Sequence, residues 1–174
     1  MENVKVDTFA MNAVGIGINL PLLQALVAIS RDIFNTIGAG YNEVIYHKAF
    51  EVALRTEPCL QQLGVKYQTE VITPVIYKGF NIGHGRIDLI VTDASKRSII
   101  IELKSLSNFG SDTGVTQIKN YMKQYSINEG IIINFGQPNK TSVSGELGIK
   151  FIFMDKIYNF VNETFVEQVN MNIN

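Results

Sequence analysis

The sequence predicts an α/β (α+β) domain, with an N-terminal pair of helices ahead of a mixed central β-sheet flanked by helices. Three observations carry this. Apolar residues recur at helical spacing from Pro21 to Arg55, switch to period two and to β-forming residues after Gly64, and follow a strand, helix, strand order between Arg97 and Phe135. At 174 residues, with 46% hydrophobic and 18% charged side chains, the chain is sized for one core. Its composition excludes disorder, collagen-like repeats and disulfide scaffolds.

In the first helix, Leu22, Leu23, Leu26, Val27, Ile29, Ile33 and Phe34 recur between Pro21, suited to a first turn, and Gly38, suited to a stop. A second helix spans Tyr41 to Arg55, with Val44, Ile45, Ala49, Val52 and Ala53 as its predicted apolar stripe and Asn42, Glu43, Lys48 and Glu51 on the remainder. Pro58 interrupts it, and Thr56 to Gly64 restarts as a short helix. Val65 to Ile72 and Val75 to Tyr77 read as strands, Lys78 and Gly79 as a turn, and Arg86 to Val91 as the next strand, after a glycine-rich turn ending at Gly85. Arg97 to Leu103 holds Ile99, Ile100 and Ile101 in succession, the pattern of a central strand buried on both faces. Gly114 to Ser126 puts Ile118, Tyr121, Met122 and Tyr125 on one helical face, and Gly130 to Phe135 follows as a strand that the crossover sets parallel to a neighbour. Ile149 to Met154 is a last strand, and Phe160, Val161, Phe165 and Val166 point to further packed structure. The chain reads as one domain, 1–174, with 1–20 as an N-terminal extension and 155–174 as a C-terminal tail.

Fifteen Lys and Arg against sixteen Asp and Glu give a net charge of −1, so no global basic field draws the chain onto nucleic acid, and any such contact is local. The apolar stretch Ala13 to Ile29 is interrupted by Asn19, Pro21 and Gln24 and is too short to span a bilayer; no membrane association is expected. Glu2 and Asp7 precede it and no cleavage site follows, so no signal peptide is expected, and the lone Cys59 fits a reducing, intracellular compartment (cytoplasmic or nuclear).

The chemistry-bearing pattern lies on the two strands Arg86 to Val91 and Arg97 to Leu103. Read as an antiparallel hairpin whose loop centres near Ser95, they set Asp88 directly opposite Glu102. Like charges in such a cross-strand pair repel, and a divalent cation relieves that. By strand alternation Lys104 shares the face of Glu102. Two carboxylates, a backbone carbonyl at Leu103 and waters make an oxygen-rich site suited to Mg²⁺ or Mn²⁺. The competing reading is a surface hairpin with exposed ion pairs worth about 0–1 kcal/mol each.

Further motifs favour the first reading. Gly40, Glu43 and Tyr46 spell G-x-x-E-x-x-Y at the start of the second helix. Then come Y-K-G at Tyr77 to Gly79, R-I-D-L-I-V at Arg86 to Val91, I-I-E-L-K at Ile100 to Lys104, Q-I-K-N-Y-M at Gln117 to Met122 and I-I-N-F-G at Ile132 to Gly136. On these motifs the chain resembles the GxxExxY family, a branch of the PD-(D/E)xK nuclease-like superfamily. The resemblance implies a restriction-endonuclease-like αβββαβ core. It implies Asp88 and Glu102 as metal carboxylates, Lys104 as the catalytic lysine, Glu43 reaching in from the helix, and Gln117 at the family's glutamine position. Two departures stand out: Ile87 replaces the proline before the aspartate, and Thr56 to Leu60 forms an insertion around Pro58. Glu43 also has a reading as a first-turn acid favouring the helix dipole.

The function this implies is metal-dependent hydrolysis of DNA or RNA. The rival is a nuclease-fold binding or assembly module without turnover, with a homodimer compatible with either. Arg86, Lys119, Lys123 and Tyr46 are candidate substrate contacts, Arg86 through its place near Asp88 and the lysines as a phosphate-contacting ridge. His84 is read as solvent-facing, and Tyr121 and Tyr125 as core residues.

Overall fold

The computed structural model describes residues 17–138 and 145–168. Most of the predicted N-terminal extension, and the start of the apolar stretch at Ala13, lie outside the described residues. Helices α1 (Leu20–Ile37), α2 (Glu43–Thr56) and α3 (Pro58–Gln62) precede strands β1 (Lys66–Tyr77), β2 (Phe80–Thr92) and β3 (Ser98–Lys104). Helix α4 (Val115–Tyr125) follows, then β4 (Glu129–Phe135), β5 (Leu147–Phe153), β6 (Lys156–Val161) and β7 (Thr164–Glu167). The strands form one seven-stranded sheet in chain order. β3 and β4 are parallel, as their crossover through α4 requires, and the other neighbouring pairs are antiparallel.

Two cores sit on opposite faces of the sheet, built by strand alternation. Ile99, Ile101 and Leu103 of β3 join Ile131, Ile133 and Phe135 of β4 beneath α1, α2 and α3. Ile100 and Ile132 turn the other way, to Val115, Ile118, Tyr121 and Met122 of α4. The isoleucine run is therefore buried on both sides, as its sequence predicts. Buried Glu129 pins the start of α1 by accepting from the Asn19 N–H at 3.0 Å while pairing with Arg97 at 2.8 Å. None of the described helices is long and apolar enough to cross a membrane.

Three expectations are corrected. The predicted stripe on α2 is packed only in part: Ala49 and Ala53 lie against the core as expected, but Val44, Ile45 and Val52 are exposed, and Tyr46, Phe50 and Leu54 are buried in their place. Both sets obey helical spacing, but the second holds two aromatic rings, which remove more apolar area from water. The segment 80–85 is strand rather than turn. β1 and β2 pair from Lys66↔Thr92 out to Tyr77↔Phe80, making a long arm closed by Lys78 and Gly79, both at positive φ. Pro74 is tolerated because β1 is the sheet edge. Lastly, half of the predicted C-terminal tail, 155–174, is β6 and β7: Phe160 and Phe165 pack there as expected, with Tyr158 beside them in the core under α1, while Val161 and Val166 are exposed.

The close seat of α4 depends on Gly130. A Cβ there would meet Met122 Sδ at 2.8 Å and Ile118 Cδ1 at 2.9 Å. Gly130→Ala is expected to cost about 1–3 kcal/mol by overpacking, seen as a lower urea midpoint at unchanged slope. Gly83→Ala, where a Cβ meets no atom within 4 Å, is the comparison and is expected to shift the midpoint far less.

Candidate active site

β2 and β3 keep the predicted register, Leu89 opposite Ile101 and Ile90 opposite Ile100. One step further, Asp88 comes beside the end of β3, and the ladder gives way to a side-chain bond: the Leu103 N–H donates to Asp88 Oδ2 at 2.8 Å. Lys104 Nζ donates to Glu102 Oε1 at 2.7 Å. Glu102 and Asp88 are 2% and 5% exposed. The second Glu102 oxygen, Oε2, is buried with no hydrogen-bond partner.

These charges are tightly coupled. Burial, and after it the Asp88 carboxylate, push Glu102 up to about 7 against the hydrogen bond and charge of Lys104. Burial alone would lower Lys104, but its bond to Glu102 and the charges of Glu102, Glu43 and Asp88 outweigh it and hold the ammonium above its usual range. Glu43 is also raised, mainly by burial, with Lys104 opposing and Asp88 adding. Glu43 is thus within electrostatic reach of both Asp88 and Lys104. It stands at the first turn of α2, capped by the Asn42 side chain accepting from the Ile45 N–H, behind Gly40, whose φ of +101° favours glycine.

Two features of this site escaped the sequence reading. His47 lies one turn beyond Glu43 on α2, its Nε2 3.2 Å from the Asp88 carbonyl oxygen and its Nδ1 3.4 Å from Glu51 Oε1. The spacing Glu43, His47, Glu51 is i, i+4, i+8, so the one signal available was that His47 shares a helical face with Glu43. The second is Glu70. Between the pairs Thr69↔Leu89 and Val71↔Ile87 it has no ladder partner and sits at φ +50° within β1, and its carboxylate takes Arg86 Nη1 at 3.1 Å. Non-glycine residues rarely hold such a φ, and they cluster at functional sites.

The remaining predicted residues are placed as follows. Arg86 is half-exposed in its pair with Glu70, close enough to affect Glu43. Gln117 is exposed on α4, its Nε2 donating to Tyr121 Oη at 3.4 Å, and that hydroxyl accepts from the Arg86 N–H at 3.2 Å. Gln117 therefore reaches β2 through Tyr121 and shows no direct contact with the carboxylates. Lys119 donates to the Asp155 carbonyl oxygen at 2.9 Å and lines with Lys123 a groove near Met154, so this ridge is not gathered with Asp88 and Glu102. Tyr46 is corrected outright. It is fully buried, stacked on Phe135 at 4.3 Å, with its hydroxyl donating to the Gly38 carbonyl oxygen, and it cannot meet a substrate. His84 is exposed beside Asn81.

Among the described residues, no three His, Cys, Asp or Glu side chains converge as a ready-made metal cage. The donor set still fits a hard divalent cation: a buried carboxylate oxygen lacks a partner, a second carboxylate adjoins it, and a third acts on both. Mg²⁺ characteristically takes one or two carboxylates and keeps several waters.

A family model described as PD-(D/E)XK nuclease superfamily matches residues 21–145, a span containing Glu43, Asp88, Glu102, Lys104 and Gln117. A solved structure described as the crystal structure of SSO0001 is similar at 21% identity with a TM-score of 0.44, covering 68% of this chain and 52% of that one. The chain thus spans about half the length of that protein. No curated protein matches the sequence.

Proposed function

The chain belongs to the PD-(D/E)XK nuclease superfamily, and from that premise we propose that it is a metal-dependent nuclease hydrolysing phosphodiester bonds of DNA or RNA. The observation that carries the proposal is the unpartnered, buried Oε2 of Glu102, a carboxylate whose other oxygen accepts from Lys104 and whose charge is opposed by Asp88. In this reading Asp88 and Glu102 hold Mg²⁺ or Mn²⁺, with the Leu103 carbonyl and Glu43 as further donors. When bound, such a cation polarises a phosphoryl oxygen and acidifies water. Lys104 is a donor only; held by Glu102, its ammonium steadies negative charge developing on the phosphoryl group. Arg86, in an exposed pair worth about 0–1 kcal/mol, is free to exchange Glu70 for a phosphate. A net charge of −1 makes binding depend on this local patch and fall as salt rises.

The test is incubation of purified protein with single-stranded, duplex and branched DNA and RNA in Mg²⁺ and in Mn²⁺, beside a chelated control. Cleavage that requires the cation supports the proposal. A folded protein that binds but never cleaves is instead a nuclease-fold binding module, and gel filtration reads whether it is a homodimer.

His47 ties α2 to the Asp88 backbone, so it sets where Glu43 stands. His47→Ala is expected to weaken Mn²⁺ binding by roughly 10–100-fold, the scale for partners that orient metal ligands, measured by titration calorimetry. The loss shrinks when Glu43 is already glutamine, if His47 acts through Glu43.

A further inference from the structure

The arm formed by β1 and β2 stands apart from α4 over part of its length and leaves an open groove of about 790 Å³. Its walls are Thr73, Val75 and Gly85 on the arm and Gln117, Asn120 and Tyr121 on the helix. Thr73 is 1% exposed, yet its hydroxyl oxygen has no hydrogen-bond partner. A buried polar group without a partner costs stability and sets this wall apart from an ordinary packed strand. None of the residues lining the groove carries a formal charge, so it suits a neutral group rather than a phosphate. Val75 and the adjoining Ile76 supply exposed apolar surface, while the amides of Gln117 and Asn120 offer donors and acceptors together.

The groove and the carboxylate site share strand β2. Gly85 lies three residues before Asp88 on β2, about 10 Å at strand spacing. A Cβ at Gly85 would meet Tyr121 Oη at 2.7 Å, so the glycine is what lets this hydroxyl reach the Arg86 N–H and anchor Gln117 at the groove wall.

We propose that this groove holds one unstacked nucleobase of a strand whose phosphate lies at Asp88 and Glu102, making an unpaired strand the preferred substrate. The inference rests on the nuclease reading and adds a base-binding subsite to it. A base inside a duplex is stacked and paired and cannot enter, whereas a single strand or a frayed end presents one. The apolar surface of Val75 and Ile76 takes the face of the base, and the amides of Gln117 and Asn120 take its polar edge.

The test uses Asp88→Asn protein, which binds without turnover, and anisotropy of three labelled DNA probes: a single strand, its duplex, and a single strand of equal length whose residues are abasic. The abasic probe keeps the phosphates and removes the bases. The single strand is expected to bind about tenfold more tightly than the abasic strand, the scale of one well-paired base contact. Asn120→Ala and, separately, Val75→Glu are expected to erase that difference; both positions are solvent-accessible, and thermal melting verifies folding. Equal binding of base-bearing and abasic strands overturns the groove while leaving a phosphate-binding nuclease intact. Retention of the tenfold preference in both variants overturns it too. Absence of binding to every probe and to RNA strands of the same design removes the nuclease reading itself.

Discussion

Asp88→Asn and Glu102→Gln proteins are expected to fold and to lose cleavage by roughly 10²-fold or more, the scale of a deleted catalytic group. Asn at 88 can still accept from the Leu103 N–H, now made to Asp88 Oδ2 at 2.8 Å, so the loss reads charge rather than shape. The Glu102 variant carries a second, opposite effect that an inert surface carboxylate would not show. In the metal-free protein the folded-state pKa of Glu102 rises from 4.5 to about 7. A carboxyl raised on folding contributes its full stability below the unfolded pKa and loses it as pH climbs through the folded one. Between about pH 5 and pH 8 that loss approaches about 3 kcal/mol at 1.36 kcal/mol per unit. Glutamine does not ionise and removes this loss, offset in part because Lys104 forfeits its partner. In chelator, Glu102→Gln should therefore match the parent near pH 5 and melt higher near pH 8. A variant that melts lower at both values would show that the Lys104 pair holds the fold together and that Glu102 is structural.

Tyr46→Ala is expected to be the most damaging single change to stability outside the site, at about 3–5 kcal/mol, or on the order of 10 °C in Tm. The ring is fully buried and stacked within 2° of parallel on Phe135. Its hydroxyl donates to the Gly38 carbonyl oxygen at 2.9 Å and accepts from the Tyr41 N–H at 3.3 Å. Tyr46 thereby ties the turn between α1 and α2 to the end of β4, and so sets where Glu43 begins its helix. Tyr46→Phe keeps the stack and loses only the hydroxyl bonds, about 1 kcal/mol. Thermal melts separate the two variants. Nucleic-acid affinity that falls in Tyr46→Phe without any change in Tm would restore the substrate role that burial argues against.

Much of the site was legible because its determinants are local. A short turn near Ser95 and side-chain alternation leave one register for β2 against β3, and that register brings Asp88 to the end of β3, where it takes the Leu103 N–H, and puts Lys104 on the face of Glu102. The unbroken Ile99, Ile100, Ile101 run announced a strand buried on both sides. The α2 stripe was misread because two helical faces of that sequence are apolar, and periodicity does not say which one meets the sheet. His47 was passed over because nothing local distinguishes a histidine that meets a distant backbone carbonyl from one that meets water. The arm's length was hidden by Pro74 and by Gly83 and Gly85, which resemble turn residues until the edge position of β1 and the close approach of Tyr121 explain them.

The order of helices and strands, the parallel crossover between β3 and β4, and the β2–β3 register that brings Asp88 beside the end of β3 all follow from side-chain period and chain connectivity over short spans. The long-range packing placed Tyr46 inside, brought His47 to the Asp88 carbonyl and Glu70 to Arg86, and opened a groove between the arm and α4. Those outcomes depend on which apolar surfaces bury the most area against one another and on which polar atoms are then left without partners, and both are properties of residues far apart in the chain.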